Sequence, residues 1–384
     1  MNDLALVLTG GGARGAYQVG LLRCLARHFP DLRTPIITGV SAGAVNAAEL
    51  ASHHGTFAQA VDELEGLWNE LTPERVFRVD AGSLGGGLGR WALRLVSGGM
   101  LRGSHVKGLV DTAPLREYLE ETLAAVRGVL TGIDYNLERG ALKAVALTAT
   151  NYTTGQSTVF VQGRDFQEWR RPHRVAVRTR LRVDHVMASA ALPLFFPAIR
   201  IDDAYYGDGG IRETAPLSPA MHLGARRILA VSTRFHGSQQ EADAPAVAGY
   251  PPPAQVIGVL LNAVFLDMID QDMLAMERVN RLIEKLPPHQ RGDLRPIRLL
   301  AIRPSRDLGR LASHYEPHLP RAFRYLTRGL GTRETGSPDM LAMLMFQTDY
   351  LRALMDLGEK DGEAHLSELE TLLGAEAGSV NRET

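Results

Sequence analysis

"LALVLTGGGARGAYQVGLLRCLARHFPDLRTPIITGVSAGAVNAAELASHH", residues 4–54, decides the fold class. Residues 4–9 form a short apolar run ended by three glycines, the pattern of a buried strand. Residues 16–29 then carry Val19, Leu22, Leu25 and Phe29 at helical spacing. Residues 30–35 make a turn between two prolines. Ile36–Val40 is a second apolar strand, and the alanine-rich residues 42–54 a second helix. A strand–loop–helix–strand–turn–helix series implies parallel strands with crossover helices, hence an α/β sheet.

Gly10, Gly12 and Gly15 spell G-x-G-x-x-G directly after the first strand, the outline of a dinucleotide-binding turn. Such a fold wants an acidic residue roughly 20 residues further on, at the end of the second strand. That strand, "IITGV", ends in Ser41 instead. A P-loop wants Lys-Ser/Thr after the last glycine, and Gly15 is followed by Ala16 and Tyr17. Both phosphate readings weaken.

Residues 39–43, "GVSAG", match G-x-S-x-G between a predicted strand and a predicted helix, the context of a nucleophile elbow. The glycine loop then has a second use. Amides at a helix N-terminus point at developing negative charge, which in acyl transfer makes an oxyanion hole. Gly11, Gly12 and Ala13 are the candidate donors. Arg14 reads equally as added positive charge or as a salt-bridge anchor of the loop.

A serine hydroxyl needs a base. None of the 12 histidines stands out: His28, His53 and His54 follow helical segments, and His222 and His236 lack a motif. In "YYGDGG", Asp208 ends a predicted strand, and Gly209 and Gly210 let the chain turn sharply beside it. An aspartate against Ser41 can take the proton directly and return it to the leaving alkoxide. The same string also reads as an ordinary Asp-Gly turn.

GGGARG, GVSAG and DGG, in this order, resemble the patatin-like phospholipase family of Ser-Asp dyad lipid acyl hydrolases. "ASAALPLFFPAIRI" is similar to the family's stretch between its two catalytic residues, and the tail, including "LMFQTDYLRALMDLGEKDG", resembles C-terminal segments of bacterial members less specifically. The motif-bearing region spans residues 6 to about 222. The resemblance implies Ser41 as nucleophile, Asp208 as base, and Gly10, Gly11, Gly12, Ala13, Arg14 and Gly15 as the oxyanion-hole loop, with Gly39, Gly43, Gly209 and Gly210 as motif glycines. It implies a three-layer α/β/α fold with a mainly parallel sheet and a helical C-terminal extension. Residues 5–222 would form the catalytic domain, with 223–384 packed on the same core. The implied reaction is hydrolysis of acyl esters in lipids. One departure is "RETAP" with Thr214, where many members carry asparagine; it bears on loop geometry rather than activity. A transacylase with the same dyad and a nucleotide-binding protein are the alternatives, and a catalytically silent lipid binder conflicts with the intact motif set.

Composition narrows the classes. The 384 residues carry a net charge of −1, with 45% hydrophobic and 22% charged residues, as in a soluble globular protein without the basic excess of a nucleic-acid binder. The lone Cys24, among Leu21, Leu22, Leu25 and Phe29, permits no internal disulfide and reads as a buried small hydrophobe. The N-terminus lacks a basic leader, and no apolar run reaches the length of a membrane span. The expectation is a cytoplasmic protein touching membranes only peripherally. No motif implies a metal or a cofactor.

Further along, residues 57–70 read as a helix with Val61, Leu64, Leu67 and Trp68 on one side. The glycine-rich residues 84–101 read as an apolar flap over a site or as a surface loop. Thr112 is expected to cap a helix containing Pro114. "ALKAVALTAT" and "GQSTVFVQG" make a hairpin about "NYTTG", followed by a short helix ending at Pro193. Leu192 to Phe196 read as core or as acyl-site lining. Arg170, Arg171, Arg174, Arg178, Arg180 and Arg182 read as a solvated basic face or a phosphate-headgroup contact. Residues 234–254 are a linker by composition, residues 254–286 a long helix, and Arg298–Ile302 a last strand returning to the sheet.

Overall fold

The computed structural model describes residues 3–78, 108–237, 249–253, 255–256, 258–260, 268–292, 294–319, 324 and 339–374. The flap or loop expected at 84–101 lies outside them, as does most of the linker. The strands β1 (Leu4–Leu8) and β2 (Ile36–Val40) are buried at every position, as strands covered on both faces must be. They run parallel, with α1 (Ala16–His28) crossing between them and α2 (Ala42–Ser52) following. Then come α3 (Phe57–Glu70), α4 (Pro73–Val76), α5 (Ala113–Thr122), α6 (Thr131–Glu138), β3 (Ala144–Asn151), β4 (Ser157–Gly163), β5 (Arg170–Arg171) and β6 (Arg174–Arg178). The short α7 (Val183–Ser189), the strands β7 (Ile199–Ile201) and β8 (Ala204–Asp208), and α8 (Ser218–His222) lead to β9 (Arg227–Val231). The C-terminal elements are α9 (Met268–Lys285), β10 (Arg298–Ile302), α10 (Leu308–Ser313), α11 (Asp339–Leu344), α12 (Thr348–Ala364) and α13 (Leu366–Leu373).

The sheet order is β10-β9-β1-β2-β3-β4-β6-β5, with β8 paired to β3 and β7. From β10 to β3 every pairing is parallel. β4 pairs antiparallel with β3 about the expected hairpin, and β8 pairs antiparallel with the end of β3. Alternate side chains fill two cores. Leu6, Leu8, Ile37, Val145 and Leu147 pack under α1, α2 and α3, while Ala5, Val7, Ile36, Ala144 and Ala146 pack under α8 and α9. Helices on both faces of a mainly parallel sheet make the three-layer architecture.

Register positions the functional edge. Leu8 pairs with Gly39, so the glycine loop after β1 and Ser41 after β2 leave the sheet side by side. Ala149 pairs with Asp208, which brings β8 to the same edge from the opposite direction. Ligands of α/β sheets bind at this carboxyl edge.

The C-terminal helix is joined to the first. α1 and α12 cross so closely that a Cβ at Gly20 would strike the Met355 carbonyl and one at Gly358 the Tyr17 carbonyl. Tyr17 Oη donates to Asp361 Oδ2 at 3.0 Å, and the Ser305 amide donates to the same oxygen at 2.8 Å. Burial and the adjacent Asp361 hold the Tyr17 hydroxyl far above its ordinary range, so it stays a donor.

Two local expectations change. Thr112 makes no side-chain cap; the Ala113 amide is taken by Asp111 Oδ1 at 3.0 Å instead. The helix expected to end at Pro193 ends at Ser189, because the Ala191 carbonyl accepts from the Asp208 amide at 2.9 Å and so belongs to the sheet edge. Of the helix expected over 254–286, the structure describes Met268–Lys285 as one α-helix. Among the described residues no helix is long and apolar enough to cross a membrane.

Tyr17→Phe leaves buried Asp361 short of one donor. It should lower unfolding free energy by about 1–2 kcal/mol, read from urea denaturation, without altering the far-UV spectrum.

Candidate active site

Ser41 stands at the first turn of α2 with φ 56° and ψ −126°, a conformation that costs a non-glycine residue about 1–3 kcal/mol. The surroundings enforce it. Its amide donates to Ser189 Oγ at 3.0 Å, and that hydroxyl donates to the Thr148 carbonyl at 2.6 Å. Gly43 lies against the end of β1, where a Cβ would collide with the Leu8 and Thr9 carbonyls. Ser41 does not cap its own helix; Oγ turns to Asp208 and donates to Oδ2 at 2.6 Å.

Asp208 is wholly buried. Its Oδ1 accepts from the Gly210 amide at 2.9 Å, in the short turn made by Gly209 and Gly210, and Thr150 Oγ1 donates to its carbonyl at 2.8 Å. Burial pushes its carboxyl up to about 7, against the pull of the hydrogen bonds from Ser41 and Gly210. A carboxylate poised near neutrality in hydrogen-bond contact with a strained serine can exchange a proton with it. No histidine lines the cavity at Ser41 among the described residues. His185, on the neighbouring α7, is held near 4 by burial and packs edge-on to Phe160.

The glycine loop lies beside them. Gly10 packs on Ser41 Cβ, and Thr233 Oγ1 donates to the Gly10 carbonyl. Gly12 has φ +59° and lines the cavity with Ser41; a Cβ there would run into the Met343 carbonyl. Ala13 and Gly15 are buried in the turn that starts α1. A buried polar network fixes that turn. Asn46 Nδ2 donates to the Gly15 carbonyl at 3.2 Å and to Gln18 Oε1 at 2.9 Å, Gln18 Nε2 donates to the Thr9 carbonyl at 2.8 Å, and Trp68 Nε1 donates to Asn46 Oδ1 at 2.7 Å. Arg14, of the two roles open to it, pairs with Asp339 of α11; Nη2 bonds both its carboxylate and, at 3.0 Å, its carbonyl.

In front of Ser41 is a narrow cavity of about 50 Å³. Its walls are apolar, with Val45, Leu67, Trp68, Leu119, Phe196 and Phe346 prominent, and Leu192 contributes too. Tyr118 spends its hydroxyl on the Leu67 carbonyl at 2.7 Å. Such walls suit an acyl chain, and among the described residues they offer a pyrophosphate no cation.

The arginine run does not form one free face. Arg174 bonds the Ala215 carbonyl and Thr214, Arg178 the Gly163 and Phe166 carbonyls, Arg180 pairs with Asp134 and Arg182 with Asp184. Arg170 and Arg171 lie exposed on β5. Cys24 is buried as expected, yet folding brings His28 and Glu363 to it. Burial pushes its thiol up to about 12, and Glu363 is engaged with His28.

Sequence reading missed Ser189, Asn46, Gln18, Thr233 and Asp339. Only Ser189 falls in a stretch that carries the family resemblance, and each has a partner 28 to 325 residues distant. The one local signal was polarity itself, since polar side chains in otherwise apolar segments must find partners when buried.

A family model for patatin-like phospholipase matches residues 6–221. A cGAMP-activated phospholipase of Pseudomonas aeruginosa is 30% identical over 219 residues, covering 55% of this chain and 53% of that protein. The chain therefore spans about half the length of that curated relative. Human GIVD cytosolic phospholipase A2, solved with methyl gamma-linolenyl fluorophosphonate, aligns with a TM-score of 0.45 at 14% identity, covering 97% of this chain and 59% of that one. VipD from Legionella pneumophila aligns with a TM-score of 0.35 at 14% identity, covering 93% and 67%.

Because the Asp208 carboxyl is raised above its ordinary value of 3.8, the folded state favours its protonated form. Stability from this group is lost as pH rises from about 4 through about 7. Asp208→Asn keeps an acceptor for Gly210 and removes the buried charge. Its melting temperature should exceed the wild type's at pH 8 by more than at pH 5, measured by calorimetry.

Proposed function

The chain belongs to the patatin-like phospholipase family, and we propose that it hydrolyses acyl esters of lipids with Ser41 as nucleophile and Asp208 as its base. The observation that carries this reading is the buried 2.6 Å hydrogen bond from Ser41 Oγ to Asp208 Oδ2 at the mouth of an apolar cavity.

In this reading Ser41 Oγ attacks the ester carbonyl carbon while its proton passes to Asp208 Oδ2. The carbonyl electrons move onto oxygen. The amides of Gly11, Gly12 and Ala13, with the α1 dipole behind them, stabilise that oxyanion by about 3 kcal/mol per donor. As the tetrahedral species collapses, Asp208 returns the proton to the leaving alkoxide and an acyl-serine forms. Water then attacks the acyl carbon, gives its proton to Asp208, and the carboxylic acid leaves as the proton returns to Ser41 Oγ. The strained backbone at Ser41 keeps Oγ pointed at Asp208 and the cavity through both halves of this cycle.

Ser41 is only 3% exposed and its cavity is apolar, which also suits transfer of the acyl group to an alcohol rather than to water. Product analysis with and without a glycerol acceptor distinguishes the two; acyl-glycerol in place of free acid would identify a transacylase.

Ser41→Ala and Asp208→Ala should each lower kcat on acyl esters by about 10⁴ or more while the protein stays folded. Near wild-type turnover by Asp208→Ala would refute the dyad. The base acts only when ionised, so kcat/KM should climb about tenfold per pH unit below the Asp208 value of about 7 and level off above it. A rate–pH profile on p-nitrophenyl octanoate measures this. Gly11→Val should cut kcat far more than it raises KM, since the added side chain meets Thr233 rather than the acyl walls and disturbs the donors of the oxyanion.

A further inference from the structure

Residues 339–346 lie far outside the stretch that defines the family, yet they close the active site. Arg14 is 2% exposed, and its guanidinium reaches across to both the carboxylate and the carbonyl of Asp339. One turn later, the Met343 carbonyl sits against Gly12, in the space a side chain would need. Leu344 and Phe346 continue along the cavity wall in front of Ser41. The Phe346 ring stands edge-on to Phe77 at 6.4 Å, and Phe77 contacts Phe196 on the opposite wall at 6.1 Å.

The segment is itself braced. α11 packs on α10, and Tyr350, fully buried at the start of α12, donates to the Leu308 carbonyl at 3.1 Å. The loop that carries the oxyanion donors is thus held on one side by Asn46 and Gln18 and on the other by α11. Only the second brace includes a charge pair, between buried Arg14 and partly buried Asp339. Its geometry is directional, because Arg14 takes a carboxylate and a carbonyl of one residue with a single nitrogen.

Resting on the acyl-hydrolase reading, we propose that residues 339–346 are part of the catalytic apparatus. Asp339, through Arg14, is a positioning residue for the oxyanion loop, and Phe346 determines which acyl chains fit. The two roles follow from one placement: the segment that fixes Gly12 also lines the space in front of Ser41. At about 50 Å³ the cavity is far below the roughly 300–1,000 Å³ of sites that enclose whole ligands, so every side chain in its wall limits the guest.

The test uses the full chain with p-nitrophenyl butanoate, octanoate and hexadecanoate. Wild type against Ser41→Ala first establishes the acyl-hydrolase reading; no Ser41-dependent turnover would remove that reading, whatever Asp339 does. Given turnover, Asp339→Asn should lower kcat about 100-fold with KM within twofold, the pattern of misplaced transition-state donors. Asp339→Glu should recover part of that loss. The paired change Arg14→Met with Asp339→Leu removes both charges without leaving one orphaned, so it should fold and remain slow. Phe346→Ala should raise the ratio of hexadecanoate to butanoate turnover several-fold. If the Asp339 variants and the paired change all turn over within twofold of wild type, the positioning role is overturned. An unchanged chain-length ratio in Phe346→Ala overturns the specificity role. A purely structural segment would lower melting temperature in these variants and move neither kcat per folded molecule nor the ratio.

Discussion

The short hydrogen bond between Ser41 and Asp208 joins the ends of β2 and β8, which meet along the same side of β3 from opposite directions. Ser41 leaves a strand in the parallel half; Asp208 ends one that lies antiparallel to β3. β3 is the shared neighbour: β2 and then β8 pair along one side of it and β4 along the other, and it fixes both ends of the bond. Its Thr148 carbonyl anchors Ser189, which holds the Ser41 amide, and its Thr150 hydroxyl holds the Asp208 carbonyl. A serine in a strained backbone and a carboxylate wholly out of water are both unfavourable alone. They persist because the same strand braces each of them.

Around that bond the described residues build an apolar space with few polar groups. Each buried polar side chain near it has a defined task. Asn46, Gln18 and Trp68 form one chain of hydrogen bonds that ties the glycine turn to the helices behind it. Arg14 is the one cation of the loop, and Asp339 neutralises it. The result is a glycine turn held in place by packing and hydrogen bonds within the protein rather than by solvent.

The fold was readable where local pattern and global topology agree. β1 and β2 are buried on both faces and apolar except for Thr38, and the α1 stripe of Val19, Leu22 and Leu25 is buried as its spacing demands. The hairpin about "NYTTG" and the return of Arg298–Ile302 to the sheet edge also follow their patterns. Capping was less readable. Thr112 has the right chemistry, but Asp111 reaches the amide, and the end of α7 is decided by a strand 17 residues later that claims the Ala191 carbonyl. The six arginines that look like one basic run are separated: Arg174, Arg178, Arg180 and Arg182 go to different carbonyls and carboxylates, while Arg170 and Arg171 lie exposed on β5.

The sequence by itself determined the chemical vocabulary: a serine between glycines after a strand, an aspartate before glycines after another, and a glycine turn that opens a helix. Those are local requirements, since tight turns and close backbone approach restrict residue type over a few positions. Only tertiary structure decided that the serine and the aspartate meet, that Arg14 turns to Asp339, 325 residues away, and that the segment after Asp339 walls the cavity. Such contacts depend on how strands are ordered and helices cross. A buried charge or hydroxyl takes whichever partner the packing delivers, and spacing along the chain does not encode that partner.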